Sequence, residues 1–128
     1  MIRVALLPAL MLSLACSSSA TKSAASAAPA DRTMLTSEEI SRTGAHDAFS
    51  AVRALRPHWL SARGPASVRA PQFIKVYLDG ALLGGVDYLR QITTSSISSM
   101  RHLDGLEATQ RYGLDHGQGA ILVFTREP

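Results

Sequence analysis

The chain divides into short apolar segments separated by glycine, proline and polar runs, and each segment has a readable period. Thr36-Ser37-Glu38-Glu39 is a capping box, a threonine N-cap with a glutamate three positions on that reaches back to it. It predicts a short helix through Ile40 to Thr43, stopped at Gly44. A second helix is predicted to start near His46-Asp47. Ala48, Val52 and Leu55 recur at i, i+4 and i+7 with Phe49 beside them, and Arg56-Pro57 ends it. His58-Trp59-Leu60 reads as a short strand, and Ser61 to Gln72, with Gly64, Pro65 and Pro71, as a loop.

Phe73 to Leu78 alternates cleanly, with Phe73, Lys75 and Tyr77 on one side and Ile74, Val76 and Leu78 on the other. Asp79-Gly80 is the turn that sends Ala81-Leu82-Leu83 back as a second strand, before Gly84-Gly85. Val86 to Ile92 is apolar on one side through Leu89 and Ile92, and Thr94 to Ile97 reads as a brief helix. The last thirty residues form a unit of their own. Met100 to Leu103 is extended, Asp104-Gly105 a turn, and Leu106 to Tyr112 two helical turns with Gly113 at a left-handed cap position. Asp115 to Gly119 is a glycine-rich loop, and Ala120 to Thr125 a buried strand. Strand, helix, loop and strand make a compact crossover joining two strands of one sheet. The expected fold is α+β, a small mixed sheet of about four strands with three or four short helices.

Composition sharpens this picture only slightly. With 128 residues, the chain is one domain plus tails. Three Phe, three Tyr and one Trp leave Leu, Ile, Val and Ala to build the core. Thirteen basic against ten acidic residues give a net charge of +3, but the basic residues are scattered singly. That describes a dispersed, solvated surface and argues against a nucleic-acid footprint.

The start of the chain reads as an address. Met1-Ile2-Arg3 is a basic n-region, and Val4 to Ala15 is an apolar stretch well short of the roughly 20 residues a membrane span needs. It ends in Ser13-Leu14-Ala15-Cys16, and Cys16 is the only cysteine. The arrangement resembles a bacterial lipoprotein signal, which implies residues 1–15 as signal peptide and Cys16 as the lipidated first residue of the mature chain. An ordinary secretory cleavage nearby is the alternative. Ser17 in place of Asp after the cysteine implies, by the same resemblance, the periplasmic face of the outer membrane. Residues 16–33 lack large apolar side chains and read as a flexible linker, leaving 34–128 as the folded domain.

A wider resemblance covers about Leu35 to Arg126. Ile97, Met100, Leu103, Gly105, Ala108, Tyr112, Gly113, Gly119, Ile121, Val123, Thr125 and Arg126 fall on the closing pattern of the plug domain of TonB-dependent outer-membrane receptors. Leu35, Glu38, Glu39, Ile40, Thr43, Gly44, Ala45, Ala48 and Leu55 match its opening, and Val76-Tyr77-Leu78-Asp79-Gly80 its central block. Leu55-Arg56-Pro57-His58-Trp59-Leu60 replaces the usual Leu-Pro-Gly. In the receptors the plug closes a barrel lumen and responds to the TonB protein. Here no TonB box precedes Thr36 and the chain stops two residues after Thr125-Arg126, so the resemblance implies a free-standing plug.

Candidate chemistry is thin. His46, His58, His102 and His116 suggest a metal, with Asp104 and Asp115 near two of them in sequence, but no H-x-x-x-H or H-E-x-x-H spacing supports it. No G-x-S-x-G elbow is present, and Glu38-Glu39 belongs to a helix start. Gly113, Gly117 and Gly119 precede a strand, not a helix, so a phosphate loop is excluded. No cofactor is expected and no catalytic set. Trp59, Tyr77 and His116 are the candidate interaction residues, with Trp59 either a core anchor or a contact. The expected function is a non-enzymatic, lipid-anchored envelope module, an accessory of outer-membrane transport whose partner is an outer-membrane receptor or barrel protein. The alternative is a small-molecule or glycan-binding periplasmic lipoprotein.

Overall fold

The computed structural model describes residues 31–62 and 73–127. The signal peptide, Cys16, most of the linker and most of the loop before Phe73 lie outside the described residues. Five strands form one mixed sheet: β1 (Met34–Thr36), β2 (Lys75–Leu78), β3 (Ala81–Gly85), β4 (Ile97–Leu103) and β5 (Ala120–Thr125). Their order is β1-β4-β5-β2-β3, with β2 and β5 parallel and every other neighbouring pair antiparallel. Three α-helices accompany them: α1 (Ser37–Arg42), α2 (Ala48–Leu55) and α3 (Gly105–Tyr112). The architecture is α+β.

Local chemistry sets the helix starts. Thr36 Oγ1 accepts from the Glu39 N–H at 3.3 Å while the Thr36 N–H donates to Glu39 Oε2 at 3.0 Å, the reciprocal capping box the sequence predicts. Asp47 caps α2 by accepting from the Ser50 N–H at 2.8 Å, which holds its carboxyl below the ordinary value of 3.8. The Ala48 N–H then donates to the Ile92 carbonyl at 2.9 Å, tying α2 to the chain before β4.

Alternation on the strands sorts side chains between two layers. Leu35, Val76, Met100, Ile121 and Val123 face α1, α2 and the 3₁₀ segment Val86–Gln91, joined by Ile40, Val52, Trp59 and Leu89 in the main core. Tyr77, Leu103, Ala120 and Leu122 face α3 and pack with Ala108 and Tyr112. Ile97 and Met100, three apart, both reach the main core because a bulge between Ile97 and Ser99 shifts the phase of β4. At Asp79-Gly80 both residues have positive φ, +47° and +88°, as a two-residue type I′ hairpin turn requires.

Several expectations need correction. His58-Trp59-Leu60 is not a strand. Pro57–Leu60 is a 3₁₀ helix, because Pro57 fixes a helical φ and the Trp59 N–H bonds back to the Arg56 carbonyl. Asp104-Gly105 is not a turn but the N-cap and first residue of α3, Asp104 accepting from the Glu107 N–H at 2.8 Å. Gly113 does close α3 at a positive φ of +102°, which favours glycine, but its ψ of 176° lies outside the left-handed helical well, so the chain leaves α3 straight into the 3₁₀ turn Leu114–His116. The fifth strand is β1, a three-residue edge that precedes the capping box. β4 and β5 are antiparallel neighbours joined through α3, a helix-bridged hairpin instead of a crossover.

Candidate functional site

Each sheet face carries its own aromatic–histidine cluster. On the main-core face, Trp59 stacks on His102 with ring centroids 5.4 Å apart and planes 18° apart, and His58 meets the edges of both rings. Trp59 is fully buried, and its Nε1–H donates to the Arg32 carbonyl at 3.0 Å. It is therefore a core anchor that fixes where the chain enters the domain. Its ring has no exposed surface in the folded domain.

On the α3 face, Tyr77 stacks on Tyr112 at 4.5 Å, and His116 lies beside both rings. The Tyr77 hydroxyl and His116 Nε2 are 2.7 Å apart, and His116 Nδ1 lies 3.2 Å from the Gly113 carbonyl. A carbonyl can only accept, so Nδ1 carries the proton, and Nε2 accepts from the hydroxyl. Burial, with Tyr112 adding to it, pushes the Tyr77 phenol above its ordinary value of 10.0. His116 is the one buried polar side chain among the described residues, and its two ring nitrogens pin the Gly loop to β2. Tyr77 and His116, both expected as contact residues, are enclosed and serve to seat α3.

The structure does bring some sequence-distant polar groups together. His58, Ser61, His102, Asp104 and Gln118 line a small cleft of about 50 Å³ at the end of the sheet, with Gly105 and Gly117 in its wall. Gln118 Oε1 is buried there without a hydrogen-bond partner. The glycines permit this closeness. A Cβ on Gly105 would collide with the Gly117 carbonyl, and one on Gly119 would lie 2.6 Å from the Leu103 carbonyl. The cleft has room for about one water. Asp104 is committed to capping α3, and among the described residues no group of three or more His, Cys, Asp or Glu could hold a metal ion. His102 and Asp104 thus meet, whereas His116 sits on the opposite face of the sheet from His102.

What the residue-by-residue reading of the sequence missed is a surface. Of the seven large apolar side chains left exposed among the described residues, six lie on the α3 side. Met34 is in register with Arg101, Leu82 with Tyr77, and Phe124 follows Leu122 by two, which puts all three on that face. Phe73 lies against Gly85, opposite Lys75, on the same face. Leu106 and Leu114 project outward from the covering layer, 71% and 84% exposed. The seventh, Tyr88, sits over Gly84, opposite Val76, on the other face. The signal lay in Phe73, Leu82 and Phe124, whose register shows that a single short helix has to cover all of them.

The chain matches no family model, no curated protein and no solved structure. No described helix is long and apolar enough to cross a membrane.

Proposed function

We propose that this chain is a non-enzymatic, lipid-anchored contact module of the cell envelope, held at the periplasmic face of the outer membrane. It resembles the plug of TonB-dependent receptors and works beside an outer-membrane receptor or barrel protein as an accessory of transport. The observation that carries this reading is the one-sided surface. A domain that leaves Met34, Leu82 and Phe124 between 40% and 53% exposed on one sheet face has a use for that face. The polar groups support the same reading, because they are committed to structure: Thr36, Asp47 and Asp104 to helix starts, Asp79 to Thr125, and His116 to Tyr77. Crosslinking in native envelopes, followed by mass spectrometry, tests it. An outer-membrane protein is expected in the crosslinked product, and an abundant chain that yields none refutes the reading.

One observation favours the ligand-binding alternative. A shallow hollow of about 460 Å³ lies between α1 and α2, lined by Glu39, Arg42, Thr43, Ala54 and Leu55, within the size range of small-molecule sites. A thermal-shift screen with glycans and other small molecules separates the two readings. A ligand at a hundred times its Kd adds about 2.7 kcal/mol of stability.

A further inference from the structure

We propose that the hollow between α1 and the Thr94–Ser96 segment binds one sugar-sized acid, a monosaccharide carrying a carboxylate or a phosphate. The site stands apart from the exposed apolar face and from the hollow between α1 and α2, and it does not depend on an anchor. Its volume is about 340 Å³, and Ser37, Ser41, Ala45, Thr94, Ser95 and Arg126 line it. Arg126 carries the only charge in that lining. The fold holds this side chain in place before any ligand arrives. The Arg126 N–H donates to the Ser96 carbonyl at 2.8 Å, and its Nε–H donates to the Ile97 carbonyl at 3.1 Å. The terminal Nη groups make no hydrogen bond or ion pair with a described residue. The result is a guanidinium fork fixed at its inner end and open at its outer one.

The carboxylates of the adjoining elements are engaged elsewhere. Glu38 pairs with Arg42, Glu39 closes the capping box and reaches Arg56, and Asp47 caps α2. Glu127, next in the chain, is exposed and does not pair with Arg126. The other walls are fixed as well. The Thr94 hydroxyl donates to the Ala45 carbonyl at 2.6 Å, the Thr94 N–H to the His46 carbonyl at 3.0 Å, and the Ser41 hydroxyl to the Glu38 carbonyl at 2.9 Å. The hydroxyls of Ser37 and Ser95 bond no described residue. These features select a ligand class. An arginine fork matches the paired oxygens of a carboxylate or a phosphate. Serine hydroxyls both donate and accept, which suits the hydroxyls of a sugar and offers little to an apolar body. The volume lies near the lower end of the range for small-molecule sites and matches a single ring. A bare inorganic anion would engage the fork and leave the serines to water.

The test titrates the isotope-labelled full chain with glucuronate, α-glucosyl phosphate, glucose and inorganic phosphate, following backbone amides by NMR. One of the two acids is expected to give saturating shifts at Ser41, Thr94–Ser96 and Arg126, with a Kd of about 1 mM or below. Glucose and inorganic phosphate should bind more weakly. Saturation by glucuronate alone makes the acid a carboxylate, and saturation by the glucosyl phosphate alone makes it a phosphate. Arg126→Gln and Ser95→Asp, both at exposed positions, should each weaken binding about ten-fold or more, the first by removing the fork and the second by adding a repelling carboxylate. Ser95→Asp serves alone if Arg126→Gln does not fold. The proposal is overturned if neither acid saturates, if inorganic phosphate binds as tightly as the acids, or if a folded variant keeps the parent affinity. Shifts centred on Glu39 and Leu55 also overturn it, because they place the ligand in the hollow between α1 and α2 instead.

Discussion

The two faces of the sheet are built to different standards. On one, Leu35, Val76, Met100, Ile121 and Val123 are sealed to zero exposure beneath α1, α2 and Val86–Gln91. On the other, a single eight-residue helix contributes Ala108 and Tyr112, and the sheet beyond its reach keeps Leu82 and Phe124 in water. Both faces are apolar on alternating positions, so alternation alone does not separate them. What separates them is how much chain is available to cover each. The sealed face holds the domain together, and the half-covered face is the one that the proposed function puts to use.

The largest expected effect tests that division. Trp59→Ala removes a fully buried ring and its bond to Arg32, and should cost about 3–5 kcal/mol in urea unfolding. Leu82→Ala, on the half-covered face, should cost no more than about 0.5 kcal/mol. Comparable losses at the two sites would mean that the faces share the load, and the comparison fails. Gly119→Ala comes next, at about 1–3 kcal/mol. Its φ of +95° and the Leu103 carbonyl 2.6 Å from the new Cβ both oppose the side chain, and the damage should open the Gly loop before the sealed face. Hydrogen exchange that loosens α3 and the loop while the α2 amides stay protected is the pattern to expect.

Tyr77→Phe sharpens the comparison within the covered part of the second face. It leaves the buried His116 Nε2 without a donor and should cost about 1–2 kcal/mol by chemical denaturation. If the cost is nil, the stack on Tyr112 alone seats α3.

The sequence made one kind of feature legible and hid another. The Thr36 capping box, the alternation of Phe73 to Leu78 and the Asp79-Gly80 turn are local statements, in which a few neighbouring residues decide the backbone, and the structure follows them. His58-Trp59-Leu60 reads as a strand because such a run has strand propensity, while the Pro before it and a bond to Arg56 decide for 3₁₀ geometry. β1 was hidden because three residues carry no period, and only pairing with β4 makes them a strand. Residue type makes Tyr77 and His116 candidate contacts and leaves Trp59 either a core anchor or a contact, because type is visible in a sequence and burial is not. The half-covered face needed the strand order, since Met34, Leu82 and Phe124 belong together only once β1-β4-β5-β2-β3 is known.

The smallest expected effect lies at the end of the sheet where Asp79 and Phe124 are exposed. There the Asp79 carboxylate accepts from the Thr125 hydroxyl at 2.6 Å and the Thr125 N–H at 2.9 Å, locking the end of β2 to the end of β5. Those bonds, the hydroxyl's first and the amide's second, hold the Asp79 carboxyl below its ordinary 3.8. A carboxyl whose pKa falls on folding adds stability that is fully present above its unfolded pKa and is lost as pH drops through the folded one. Asp79→Asn keeps the turn, because asparagine tolerates the positive φ of +47°, and removes the charge. At neutral pH the variant should therefore be less stable by under about 0.5 kcal/mol, as expected for an exposed site. From about pH 4 downward the gap to the parent should close. Asp47, whose carboxyl is held low in the same direction by the Ser50 N–H, is present in both proteins and cancels. Paired urea titrations across that range give the answer. A gap that stays flat through acid would mean that the lock depends on the shape of the side chain and not on its charge, leaving the half-covered end held by hydrogen-bond geometry alone.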